Sequence, residues 1–179
     1  MTTYAALLRG INLGGRRKVP MADLRELITG LGYEGVRTLL QSGNVVFTGG
    51  EQPPALLARE LEQALQARFG FEIGCVVLTS AELRAVVARN PFPVTSFDPS
   101  KFVVTFLAAP LDPAHLARID PEAYLPDEFR PGERELFLHC PNGLGRSKLS
   151  AALGATDFGA VATTRNWNTV TKLLAMADV

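Results

Sequence analysis

Cysteine, histidine and tryptophan are scarce in this 179-residue chain, which holds two Cys, two His and one Trp. Cys75 and Cys140 each sit inside an apolar run, away from any CxxC or Cys/His spacing. That points away from a disulfide framework or a thiolate metal site, and towards buried free thiols in a reducing cytosol. His115 and His139 have no carboxylate or cysteine at a telling spacing, and HExxH, GxSxG and paired-carboxylate patterns are missing. No metal and no other cofactor is therefore expected, and an acid–base or metal enzyme is disfavoured, although catalytic partners need not be close in sequence. No run approaches the ~20 apolar residues of a membrane span. The opening Met1-Thr2-Thr3-Tyr4-Ala5 lacks a basic region before an apolar stretch. A cytoplasmic protein without a membrane partner is the expectation.

Net charge is also absent, because eighteen basic and eighteen acidic residues cancel. This argues against blanket nucleic-acid or membrane binding. The distribution is uneven, however. Residues 1–22 contain Arg9, Arg16, Arg17 and Lys18 and no acid, whereas residues 111–136 carry Asp112, Asp120, Glu122, Asp127, Glu128, Glu133 and Glu135 against three arginines. A neutral chain with a basic pole suits a local anionic group better than a long polyanion.

What the chain does have is core-building sequence: 47% hydrophobic and 20% charged residues mark a soluble globular protein. A chain of this length buries roughly 70% of its unfolded surface and needs no staple to fold. Residues 3–9 read as a strand, and Pro20 opens a helix with Met21, Leu24, Leu27, Ile28 and Leu31 at helical spacing. Residues 36–40 and 45–48 read as strands joined by Gln41-Ser42-Gly43-Asn44, a tight hairpin. Leu57, Leu61, Ala64, Leu65 and Phe69 mark a second helix closed by Gly70, and 73–78 a fourth strand. Thr79 and Glu82 have capping-box spacing for a third helix, stopped at Asn90-Pro91.

This order is βαββαβ, the ferredoxin-like plait. The predicted fold class is α+β, with a ferredoxin-like half over residues 1–90 and a second, imperfectly similar α+β half over 91–179, packed as one globular unit. The second half shows a strand at 102–107, a short helix after Asp112-Pro113, a hairpin around Pro131-Gly132-Glu133 with its return strand at 136–139, and helices near 147–153 and 166–176.

Arg, amide and hydroxyl side chains with glycine are concentrated in a few segments. They suit holding an anion better than moving a proton. In Arg9-Gly10-Ile11-Asn12-Leu13-Gly14-Gly15, backbone N–H groups of a glycine-rich strand-to-helix loop and the Arg9 guanidinium could cradle a phosphate or carboxylate. The loop fits neither the Walker nor the GxGxxG pattern. In a plait, the first loop and the second hairpin turn emerge at the same end of the sheet, which sets Gln41, Ser42 and Asn44 beside it. Asn142-Gly143-Leu144-Gly145-Arg146-Ser147-Lys148 leads into a helix, with Ser147 as N-cap and Lys148 free to meet an anion. In Thr163-Thr164-Arg165-Asn166-Trp167-Asn168-Thr169, Asn166 caps the last helix and Trp167 belongs to its apolar stripe, leaving Arg165 and Asn168 to face a ligand. Each segment also has a structural reading: loop glycines, a hairpin turn, a helix cap, and an arginine tying the C-terminal helix to backbone carbonyls.

The same residues carry a family resemblance. Tyr4-Ala5-Ala6-Leu7-Leu8-Arg9-Gly10-Ile11-Asn12-Leu13-Gly14-Gly15, Met21, Leu24-Arg25, Gln41-Ser42-Gly43-Asn44-Val45-Val46-Phe47, Asn90-Pro91-Phe92, Ser147-Lys148-Leu149 and Thr164-Arg165-Asn166-Trp167-Asn168-Thr169 resemble the bacterial family called domain of unknown function 1697. The resemblance implies a bacterial cytoplasmic protein with an α+β fold and no established activity, in which the polar clusters matter together.

Three functional readings follow. In the first, the chain is a binding module for a nucleotide, another phosphorylated small molecule or the end of a nucleic acid. Arg9, Asn12, Gly14, Gly15, Gln41, Ser42 and Asn44 form one wall, closed by Arg165, Asn166 and Asn168, with Ser147 and Lys148 as further ligand-binding candidates. General RNA reading is weaker, because it uses exposed aromatics on central strands and the candidate strands offer only Tyr4 and Phe47. In the second, the clusters are buried hydrogen-bond networks that knit the halves or a homodimer together. In the third, the chain is a phosphoryl or acyl transferase in which Arg9 and Arg165 stabilise developing charge.

Overall fold

A computed structural model describes residues 1–93 and 95–178. The chain divides into two compact units, one formed by Met1–Ala85 with the residues from Lys172 on, the other by Val86–Thr171. The first boundary thus falls inside a helix before residue 90, and the chain end groups with the first unit.

The first unit carries strands β1 (Thr2–Leu8), β2 (Glu34–Leu39), β3 (Asn44–Gly49) and β4 (Cys75–Thr79), with helices α1 (Met21–Gly30) and α2 (Pro54–Phe69). Its sheet has the order β2-β3-β1-β4, all antiparallel neighbours, as expected for a ferredoxin-like plait. Central β1 is apolar and buried from Tyr4 to Leu8. The sheet buries Tyr4, Ala6, Leu8, Val45, Phe47 and Val77 in one cluster with Leu24 and Ile28 of α1 and Leu57, Leu61 and Leu65 of α2. Those helical residues recur every fourth residue, so each helix turns one stripe to the sheet. Gly70 ends α2 in the left-handed conformation, its N–H bonded to the Gln66 carbonyl.

Helix α3 (Ser80–Ala88) starts with the expected capping box. Thr79 N–H donates to Glu82 Oε2 at 2.9 Å, and Glu82 N–H donates to Thr79 Oγ1 at 3.1 Å. Beyond it lie β5 (Phe102–Leu107), β6 (Glu128–Pro131), β7 (Glu135–His139), α4 (Lys148–Gly154), β8 (Ala162–Asn166) and α5 (Trp167–Ala177). The second sheet has the order β6-β7-β5-β8, again antiparallel. This is the same spatial order as in the first sheet, so the second half repeats the plait. Where the first plait has α1, the second has two 3-10 turns, Pro113–Leu116 and Pro121–Tyr124. Asp112 and Asp120 cap them by accepting from Ala114 N–H and Glu122 N–H. The short helix expected after Asp112-Pro113 is the first of these.

One strand escaped the sequence reading. Ala162–Asn166, which overlaps the polar run 163–169, forms edge strand β8, with Arg165 opposite Val104 and Thr164 opposite Thr105. Its side chains alternate, Thr163 and Arg165 buried and Thr164 and Asn166 exposed. The period of two is present, but it is written in Thr, Arg and Asn, so hydrophobic patterning misses it.

Candidate functional site

In the first unit, the loop after β1 and the β2–β3 turn meet at one end of the sheet. Leu8 N–H donates to the Gly43 carbonyl at 2.8 Å, and Arg9 N–H donates to the Gly74 carbonyl at 2.8 Å. Arg9 therefore leaves the central strand flanked by the turn on one side and the approach to β4 on the other. Gly43 has φ +88, and a Cβ there would stand 2.7 Å from Ile11 Cδ1 and 2.9 Å from Leu8 Cβ. Only glycine lets the turn approach the loop this closely.

The loop is not the open cradle that its glycines suggest. Leu13 and Arg16 exchange two backbone hydrogen bonds of 3.0 and 2.9 Å, and Asn12 N–H donates to the Arg17 carbonyl at 2.9 Å. Gly14 and Gly15 have φ of +54 and +84, the double positive φ of a type I′ hairpin turn. The segment is a narrow finger with a Gly-Gly tip, and a Cβ on either glycine would meet nothing within 4 Å.

Asn12 and Arg17 pin the finger to its base. Asn12, at φ +53, donates from Nδ2 to the carbonyls of Val19 at 3.0 Å and Gln41 at 2.7 Å, and its Oδ1 accepts from Val19 N–H at 2.8 Å. Arg17 donates from Nε to the Gly10 carbonyl and from a terminal nitrogen to the Glu72 carbonyl, both at 2.6 Å, while its guanidinium lies 4.7 Å over the Phe71 ring. Asn44 is buried and donates to the Leu39 carbonyl at 2.7 Å and to Ser42 Oγ at 3.0 Å. Sequence reasoning gave Arg17 no such role. A left-handed arginine beside an aromatic is visible only in coordinates.

Arg9, Arg16, Lys18 and Gln41 are exposed at this end. Among the described residues, no carboxylate pairs with Arg9, Arg16 or Lys18, although Arg68, Arg84, Arg89 and Arg130 all have acidic partners.

The remaining candidates lie in the second unit. Ser147 is buried and is the α4 N-cap. Its Oγ accepts from Ser150 N–H at 2.9 Å and from the Cys140 thiol at 3.2 Å, and it donates to Asp127 Oδ2 at 2.7 Å. Burial raises the Cys140 thiol pKa, so it stays protonated. Ser147 and the exposed Lys148 line a cavity of about 220 Å3 with Tyr124, Asp127, Asn142 and Arg146. Arg165 is buried and donates to Thr163 Oγ1 at 2.7 Å and to the Thr164 carbonyl at 2.9 Å. Asn166 caps α5, accepting from Thr169 N–H at 2.9 Å, and is exposed like Asn168. Trp167 is a core residue, its ring 5.1 Å from that of Phe102. His139 is stacked on Phe97 at 3.7 Å. Burial lowers its pKa, Lys101 adds to the shift, and Glu128 and Asp127 oppose it.

A family model described as protein of unknown function (DUF1697) matches residues 1–137, most of the chain. The chain belongs to the DUF1697 family. The matched part holds Arg9, the finger and the 41–44 turn, whereas Ser147, Lys148 and residues 165–168 lie beyond it. The fold is also similar to that of the conserved bacterial protein SP0830 from Streptococcus pneumoniae, with 27% identity, 98% of each chain covered and a TM-score of 0.82. No curated protein matches the chain.

Proposed function

We propose that this DUF1697 protein is a binding module for an anionic ligand of the phosphorylated small-molecule class, nucleotides included. The ligand is held at the finger end of the first unit. The observation that carries the reading is the contrast among neighbouring cations. Arg17 donates to two carbonyls and covers an aromatic face, whereas the exposed Arg9, Arg16 and Lys18 pair with no carboxylate among the described residues. Like charges carried by one short loop repel one another, and an anion relieves that repulsion. The arginines can also bind a phosphate bidentately. Gln41 and the Gly14 and Gly15 amides supply neutral donors beside them. The second-unit cavity is a poorer anion site, because the Asp127 carboxylate lines it together with Arg146 and Lys148.

A second reading, that the polar clusters are structural, is favoured by Asn12, Asn44, Ser147 and Arg165, whose polar atoms bond to the protein itself. The two readings divide the candidate residues between them. Calorimetric titration with pyrophosphate, ATP and a sugar phosphate tests the first. Saturable binding that weakens at least several-fold in Arg9→Ala and Arg16→Ala is expected. Absence of heat across the panel at low salt would sink it.

A further inference from the structure

Leu13 and Leu40 are 55% and 54% exposed, and they neighbour the two ends of the Asn12–Gln41 bond that ties the finger to the turn. Both leucines therefore stand at the pole that presents Arg9, Arg16 and Lys18. Among the described residues, the non-glycine positions with left-handed backbone are Asn12, Arg17 and Leu40, all in this one patch. A leucine forced into that region with its side chain in water is unfavourable twice over, and such strain persists only where the surrounding structure enforces it. Here the Leu8–Gly43 and Asn12–Gln41 bonds do so.

We propose that this pole docks the first unit onto an anionic lipid surface. Leu13 and Leu40 enter the boundary between headgroups and acyl chains, and Arg9, Arg16 and Lys18 meet lipid phosphates. The inference rests on the anion-binding reading, since the cations are the same, and it names the phosphate as that of a headgroup. Exposed leucines beside basic residues match the layering of an anionic bilayer, whose charge lies outside its hydrocarbon. A protein partner fits less well. A stable interface needs roughly 800 Å2 of complementary surface from each side, whereas lipid conforms to a narrow projection. No helix among the described residues is long and apolar enough to cross a membrane, and peripheral docking requires none. The expectation of no membrane partner came from the lack of a span and from zero net charge. A local patch is bound by neither.

The test is vesicle flotation of the full chain, with phosphatidylcholine alone and with phosphatidylcholine mixed with phosphatidylglycerol. The protein is expected to float only with the anionic vesicles and to be released by salt. Partitioning should fall about fivefold for each of Arg9→Gln and Arg16→Gln. The double variant Leu13→Ser, Leu40→Ser should lose flotation while keeping its melting temperature and its calorimetric affinity for pyrophosphate. No flotation of the wild type, or flotation untouched by the double leucine variant, overturns the proposal. Pyrophosphate binding without flotation defeats the lipid inference alone, and loss of both defeats the anion-binding reading beneath it.

Discussion

Replacing Asn12 by Ala separates the residues that build the pole from those that would use it. The substitution removes three hydrogen bonds, to the Val19 carbonyl, the Gln41 carbonyl and the Val19 N–H. Val19 is fully buried, so its N–H is left without a partner at a cost of about 1–3 kcal/mol. The Gln41 carbonyl belongs to an exposed residue and turns to water at little cost. Alanine must also adopt φ +53, a left-handed conformation that costs roughly 1–2 kcal/mol. The sum is a destabilisation of about 3 kcal/mol. At an m-value of roughly 2 kcal/mol per M, the urea midpoint falls by more than 1 M. Unfolding followed by circular dichroism measures this directly. Asn12→Gly, which relieves the backbone term, should recover about 1 kcal/mol of the loss. Arg9→Ala and Arg16→Ala, which remove exposed groups without a carboxylate partner, should change stability by less than about 0.5 kcal/mol. An Asn12→Ala variant as stable as wild type would refute the assignment of Asn12 as the pin.

Two further predictions follow from local geometry. Gly43→Ala meets Ile11 Cδ1 at 2.7 Å and Leu8 Cβ at 2.9 Å with φ at +88, so it should destabilise by about 3 kcal/mol or more in the same denaturation assay. His139 has its pKa lowered by burial, so the unfolded chain takes up a proton at higher pH than the folded one does. Its contribution is present above the unfolded value near 6.5 and is lost as pH falls through the folded one. Melting temperatures of wild type should therefore drop more steeply than those of His139→Gln as pH falls from 7 to 5.

Much of the plait was legible because its elements are written in apolar periodicity. Val45-Val46-Phe47 is a continuous β-branched and aromatic run, Leu57, Leu61 and Leu65 repeat every fourth residue, and Thr79 with Glu82 announces a cap. Edge strand β8 was not, since an edge that alternates Thr and Arg with Thr and Asn carries no hydrophobic signal. The meeting of the 9–18 loop with the 41–44 turn followed from topology alone. What became of the polar groups there did not. Whether an asparagine faces a ligand or its own backbone depends on φ and on distances of a few tenths of an ångström. One available cue was Leu13-Gly14-Gly15-Arg16, where paired glycines between non-glycine residues signal a two-residue hairpin. That cue would have replaced the expected cradle with the finger.

Amide chemical-shift mapping of the full chain with pyrophosphate reports residue by residue where an anion binds. Saturable shifts at Gly10, Gly14, Gly15, Arg16 and Gln41 are expected, and they should be lost in Arg16→Ala. Shifts confined to residues 142–148 or 163–168, or none at all, would contradict anion binding at the finger end.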